Sequence, residues 1–390
     1  MAGRRIYLVG SSGYPYYGDE AVAAAWLRHL AATEPDAEVY LDCPNPGGAQ
    51  LFLGDLHPNV RFVDTLFRIS WAAPSEDVEE VAEFAAQAVR QPGFGYAHRA
   101  AGIELLQTAD VFHVIGGGYV NAIWPRHITF LSAGQVLAAE HGKHVAMTGN
   151  ALLPNAASND LLGRLTEGYA VVDVRDAKSR ALLSSDTATD TGDDSLLDLG
   201  DDVYDKRESV STMMCLQSDL VEGSVEDLAT SAVETAKAWG LRPEKIGYIE
   251  AIPGQDRVVF EMIESELPGM RFYPFTEVWR EGLPARRGQR WITTRESLHL
   301  AAAATGSWGV AFPVKPGYDD VSHQDLIDKG SRWVIGTPGQ AAPETHGEAG
   351  FGSTLDGLVE AKRSVAQRIP IHPPKSMAPP RGVTRPRRSC

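Results

Sequence analysis

Four strand ends in this sequence carry residue types suited to gripping an anion and moving a proton. The first is the loop Gly10-Ser11-Ser12-Gly13-Tyr14-Pro15-Tyr16-Tyr17-Gly18, running into Asp19-Glu20 and an alanine-rich stretch. Glycines ahead of a helix N-terminus let backbone amides approach an anion, and the helix dipole assists. The spacing matches neither G-x-G-x-x-G nor G-x-x-x-x-G-K-[ST], so NAD and ATP-type phosphate signatures are absent. The competing reading is a tight turn with Asp19 as a plain N-cap. The second is Gly116-Gly117-Gly118 after the apolar run Val111–Ile115, with Asn121 close behind. Three glycines at the carboxyl end of a parallel strand sit where α/β sheets bind ligands, or they make a sharp turn for packing. The third is Asp173-Val174-Arg175-Asp176-Ala177-Lys178-Ser179, where the bland reading is a local salt bridge. The fourth is Thr293-Thr294-Arg295-Glu296-Ser297-Leu298-His299. Arg295 and His299, four apart, share a helical face. An arginine there suits a carboxylate or phosphate, and the histidine suits proton transfer, unless it is a core histidine. Lys315, after the next apolar run, is a further phosphate contact or a solvated lysine.

The elements that must position these groups alternate between β and α. Strand-like runs are Arg5–Val9, Ala37–Leu41, Val60–Val63, Val111–Ile115 and Val145–Thr148, followed by the run Tyr169–Asp176, with helix-like runs such as Asp77–Arg90 and Ile128–His141 between them. A second series follows: strands Thr212–Gln217, Lys245–Ile252, Trp291–Thr293 and Trp308–Phe312 alternate with helices Val225–Trp239, Asp256–Leu267, Glu296–Ala304 and Val321–Lys329. Such alternation predicts parallel sheets covered on both faces. The acidic stretch Asp193–Glu208 reads as the interdomain link. The expected organisation is an N-terminal Rossmann-like domain over 1–195, a second over 210–370, and a basic, proline-rich disordered tail over 373–390. The last helix, near Thr354–Gln367, is placed to pack back toward the first domain.

Composition narrows the partners. The 390 residues hold 36 lysines and arginines against 51 aspartates and glutamates, a net charge of −15. Such a chain repels polyanions, which argues against nucleic acid. No run approaches the ~18 apolar residues of a membrane span. The N-terminus lacks a secretory apolar core, and three scattered cysteines make neither a disulfide framework nor a zinc site, so a cytoplasmic protein without metal is expected. Each basic residue near a glycine loop therefore stands out.

Taken in order, Gly18-Asp19-Glu20, Gly116-Gly117-Gly118, Val174-Arg175-Asp176 with Ser179, Thr191-Gly192-Asp193 and Thr294-Arg295 resemble the polysaccharide pyruvyl transferase family. The resemblance spans about residues 6 to 330 and rests on the order and spacing of short motifs. It implies two Rossmann-like domains facing a cleft, as in GT-B glycosyltransferases. It also implies transfer of the pyruvyl group of phosphoenolpyruvate onto a sugar or glycan, phosphoenolpyruvate being a substrate and no cofactor being needed. Arg175 and Arg295 would grip the donor, and Gly13, Gly18, Asp19, Glu20, the three glycines, Asn121, Ser297 and Lys315 would line its site. The sequence departs from the family at Ser297, where an R-x-H histidine is expected to protonate the enol carbon. A serine hydroxyl is too weakly acidic for that step. His299, two positions on and about 200° around a helix, is the substitute proton donor expected here. Trp71, Phe94, Tyr96, Trp124 and Arg126 are candidate acceptor contacts. The alternatives are a GT-B-type transferase using another donor such as a nucleotide sugar, and a silent ligand-binding paralogue.

Overall fold

The computed structural model describes residues 3–207, 209–343 and 350–369. The expected tail over 373–390 lies outside them. Six strands build the first sheet: β1 (Arg5–Val9), β2 (Glu38–Asp42), β3 (Val60–Val63), β4 (Val111–Val114), β5 (His144–Asn150) and β6 (Val171–Val174). Six more build the second: β7 (Thr212–Cys215), β8 (Ile246–Ile249), β9 (Arg271–Tyr273), β10 (Arg290–Thr293), β11 (Trp308–Ala311) and β12 (Val334–Ile335). The orders are β3-β2-β1-β4-β5-β6 and β12-β11-β10-β7-β8-β9, and every pairing is parallel. Counted from its own first strand, the second sheet repeats the order of the first. Both are the doubly wound arrangement whose ligand crevice opens where the order reverses, between β1 and β4 and between β7 and β10.

The central strands are apolar runs because both faces of a parallel sheet are covered. All four residues of β4 are buried, as are all four of β7 and β8. Strands β9 and β12 give no such run: Arg271 and Ile335 are exposed on short edge strands, and the sequence shows neither.

Two expected boundaries shift. The first helix spans Tyr17–Thr33, with Tyr16 at the cap position and no side-chain cap, so Asp19 is a first-turn residue and not the N-cap. The amide of Tyr17 is spent on the second domain, donating to the carbonyl of Ala251 at 3.0 Å. The acidic stretch also begins inside the first domain. Asp194 is wholly buried, accepting from Trp26 Nε1 at 2.6 Å, Thr148 Oγ1 at 2.6 Å and the Gly116 amide at 2.8 Å. The helix Leu355–Ala366 returns across the domain boundary: Val365 and Ala366 join the core of the first sheet, while Leu355, Leu358 and Val359 pack on the second. Its Lys362, wholly buried, holds Asp173 at 2.8 Å and Asp194 at 2.9 Å.

Candidate functional site

The two switch points face each other across a cavity of about 410 Å³. The first domain contributes Tyr16, Gly18 and Asp19 from the β1 loop, Gly117, Gly118 and Trp124 from the β4 loop, and Arg175 with Asp193. The second contributes Gln217 and Asp219 after β7, Thr294–Ser297 after β10, and Tyr318 with Ser322 after β11. Tyr318 bridges the domains, its hydroxyl donating to the Gly118 carbonyl at 3.0 Å. A Cβ at position 118 would stand 2.2 Å from that hydroxyl, so only glycine allows the approach.

Arg295 is the N-cap residue of the helix Glu296–Ala304 and is 5 % exposed. Asp256 anchors its inner edge, accepting from Nη2 at 2.6 Å and from Nε at 3.2 Å. The other Asp256 oxygen accepts from the Ala251 and Ile252 amides, both at 2.7 Å, which fixes the carboxylate. On the cavity side Asp219 pairs both terminal nitrogens, at 2.5 and 3.2 Å, and Tyr16 presents its ring 5.4 Å from the guanidinium carbon.

Arg175 reaches the cavity because its neighbours are otherwise occupied. Asp176 caps the following turn, accepting from the Ser179 amide at 2.7 Å and hydroxyl at 2.8 Å. The arginine, 7 % exposed, crosses to the second domain, where Nη1 meets Glu296 at 3.2 Å and Nη2 donates to Ser322 at 3.0 Å. Asp193 of its own domain lies 3.7 Å away. Its Nε–H is buried and finds no acceptor among the described residues. A buried donor without a partner is costly, so an oxygen brought by a ligand would be welcome there.

Three carboxyls in the cavity are poised near neutrality. Desolvation raises Asp19 to about 7, against the pull of Ser11, Arg175 and Arg295. Desolvation raises Glu296 to about 7 despite Arg175, with Asp193 adding to the rise. Desolvation likewise raises Asp319 to about 6, against amide hydrogen bonds from Lys315 and Val314. A carboxyl held near 7 in a cleft can act as acid or base at working pH.

Of the residues expected at the site, Gly18, Asp19, Gly117, Gly118, Arg175, Arg295 and Ser297 line the cavity. The others belong to its scaffold. Gly13 adopts φ +93°, and a Cβ there would sit 2.1 Å from the Asn45 carbonyl. Its amide donates to the wholly buried Glu20 at 2.6 Å, so both shape the loop from behind. Gly116 spends its amide on Asp194, and Asn121 clips its own loop, donating to the Gly118 carbonyl at 3.0 Å. Lys315 points away to Glu222 at 3.3 Å.

His299 is the main correction. It faces the core side of its helix, stacked on Trp333 at 4.3 Å and wholly buried. Its Nε2 lies 2.7 Å from Ser331 Oγ and its Nδ1 lies 3.1 Å from His323 Nδ1. His323 Nε2 lies 3.1 Å from the Thr294 carbonyl, which can only accept. One proton arrangement satisfies the row: Ser331 donates to His299, His299 to His323, and His323 to Thr294. Burial and His323 hold His299 well below the usual imidazole range. A neutral imidazole turned away from the cavity cannot protonate a donor bound there.

Sequence reasoning missed Tyr16, Asp219, Asp256 and Tyr318. Asp219 and Tyr318 follow strand ends, which is a signal of position only. Asp256 carries none, since its role exists only through Arg295. Trp124 is the one acceptor candidate lining the cavity. Trp71 is 39 % exposed elsewhere, beneath Arg68; Tyr96 packs on Phe84; Arg126 lies 3.9 Å from Glu76; the Phe94 side chain is outside the described residues. No group of three or more His, Cys, Asp and Glu among the described residues is placed to hold a metal ion. No helix among them is long and apolar enough to cross a membrane.

No protein-family model matches the chain, and no curated protein sequence does. Solved structures do match in shape. A UDP-N-acetylglucosamine 2-epimerase superposes with a TM-score of 0.53 at 11 % identity, covering 92 % of this chain and 94 % of its own. The enzyme of that name from Neisseria meningitidis, bound to UDP-GlcNAc, gives 0.51 at 9 %, with 94 % of each chain covered. A protein assigned the same activity in Listeria monocytogenes gives 0.51 at 12 %, covering 94 % and 88 %. The fold is GT-B-like. At these identities the likeness speaks for the fold alone.

Proposed function

We infer that the chain is a GT-B-type group-transfer enzyme. Its donor is a nucleotide sugar seated in the interdomain cavity, and its acceptor is a hydroxyl entering beside Tyr14 and Trp124. The observation that carries this reading is the convergence of Arg175 and Arg295, one from each domain, with Asp19 and Glu296 in one cavity at both switch points. The GT-B-like fold, shared with the structure bound to UDP-GlcNAc, supports a nucleotide-sugar donor. In the proposed step the acceptor oxygen attacks the anomeric carbon and the bond from that carbon to the diphosphate oxygen breaks. The diphosphate keeps the electron pair, and the hydroxyl proton passes to Asp19 or Glu296. The two arginines stabilise the charge that grows on the diphosphate. Protonation of Glu296 also frees the positive charge of Arg175 for the donor.

A second reading, pyruvyl transfer from phosphoenolpyruvate, draws on the motif residues. Gly18-Asp19, Gly117-Gly118, Arg175, Asp193 and Arg295 all line the one cavity. With His299 turned inward, the proton for the enol carbon would have to come from Asp19 or Glu296. Isothermal titration of the protein with UDP, UDP-sugars and phosphoenolpyruvate separates the two. The expected result is binding of UDP and a UDP-sugar, weakened about tenfold or more in Arg175→Gln and Arg295→Gln, since a charge-assisted hydrogen bond contributes ~1.5–3 kcal/mol. Binding of phosphoenolpyruvate alone would replace the first reading by the second. Unchanged affinity in both variants would remove the cavity as the donor site.

A further inference from the structure

We propose that Asp219 occupies the place of the donor's anionic group on Arg295 and is displaced when the donor binds. This rests on the reading of Arg295 as a donor contact. The two carboxylates on the guanidinium are not equivalent. Asp256 is wholly buried and fixed by two amides, so it serves as a permanent anchor that aims the arginine. The side chain of Asp219 is 25 % exposed and belongs to the cavity wall. It pairs the two terminal nitrogens side by side, the geometry in which a phosphate or carboxylate of a ligand meets arginine. A carboxylate and a phosphate oxygen pair are interchangeable on that edge.

The segment bearing Asp219 is built to leave. The next residue, Leu220, also in the cavity wall, has φ +56°, a left-handed conformation that costs a non-glycine residue free energy. Strain kept beside a ligand cavity is released when the loop moves. The loop's inner end is held, because the Gln217 amide donates to Thr294 Oγ1 at 3.0 Å and Gln217 Nε2 donates to the Asp219 carbonyl at 2.8 Å. Displacement therefore turns the Asp219 carboxylate out toward solvent while Gln217 stays as the pivot. Without a donor, the arrangement keeps a buried cation neutralised. With one, the ligand's oxygens take over the same two N–H groups. The apparent donor affinity is lowered by the competition, because only the displaced state is competent.

The test uses the full chain and two probes, inorganic pyrophosphate and UDP, titrated by calorimetry. The Asp219→Asn variant keeps size and shape and removes the competing charge. It is expected to bind both probes at least tenfold more tightly than wild type, and the gain is expected to vanish in Asp219→Asn/Arg295→Gln. Asp219→Ser, which removes the side chain's reach, should show the same gain. Equal or weaker binding in both Asp219 variants, with unchanged near-ultraviolet circular dichroism, would overturn the displacement. If Arg295→Gln loses the probes while the Asp219 variants gain nothing, the donor site stands and only the displacement falls. If Arg295→Gln binds as wild type, the donor reading of Arg295 falls and the displacement with it. Failure of the wild-type chain itself to bind either probe would overturn both.

Discussion

Replacing Lys362 by methionine should destabilise the protein strongly, and more so in alkali. The ammonium is wholly buried between Asp173 and Asp194, at 2.8 and 2.9 Å. Burial opposes the charge of Asp194, but Lys362, Thr148 and Trp26 hold its carboxyl below the usual range. Methionine fills the same volume and removes the charge, leaving two buried carboxylates that face each other. Breaking a buried pair from one side costs about 3–5 kcal/mol. The remaining donors, Thr189 and Thr191 on Asp173 and Trp26, Thr148 and Gly116 on Asp194, favour the lower part of that range. One carboxyl then takes up a proton, so its folded value rises above its unfolded value of about 3.9. A group raised in this way loses stabilisation as pH climbs through the folded value, so the deficit relative to wild type should be larger at pH 8 than at pH 5. Urea unfolding at the two pH values measures it, with tryptophan fluorescence as the signal because Trp26 donates to Asp194. A loss below about 1 kcal/mol at pH 8, or an equal loss at both values, would refute the argument.

Two further outcomes follow from the same physics. Asp19, Glu20 and Glu296 have folded values of about 7, 8 and 7, above their unfolded values, so their stabilisation is complete below pH 4 and lost as pH rises through 7 and 8. The buried histidines, held below their usual range, oppose this trend around and below about pH 6.5, where their unfolded forms charge, and little above about pH 7.5. The thermal midpoint should therefore fall between pH 6.5 and 8.5, and a flat or rising midpoint there would contradict the assignment. His299→Ala should cost about 2–4 kcal/mol by opening a cavity beside Trp333 while leaving UDP affinity within twofold. A tenfold loss of affinity with little change in stability would return His299 to the site.

The amino-acid sequence determined the two β/α series, because strands covered on both faces must be apolar throughout. Strand-end position therefore placed Gly18, Gly117, Gly118, Arg175 and Arg295 correctly beside one crevice. Edge strands such as β9 escape this logic, since one side of an edge has no partner to demand burial. The tertiary structure alone decided what the charged groups do. Helical spacing put Arg295 and His299 on one face, but packing against Trp333 and His323 turned the histidine inward, because spacing along a helix does not say which neighbours it meets. Gly13, Glu20 and Gly116 carried the look of a binding loop, yet their donors and acceptors are spent on one another and on Asp194. The partners of Arg295, Asp219 and Asp256, lie 76 and 39 residues away in sequence. Lys362 closes on Asp173 and Asp194 over 189 and 168 residues. Electrostatic pairing in a closed cleft depends on distance through space, and that distance exists only once both sheets have formed and the last helix has crossed between them.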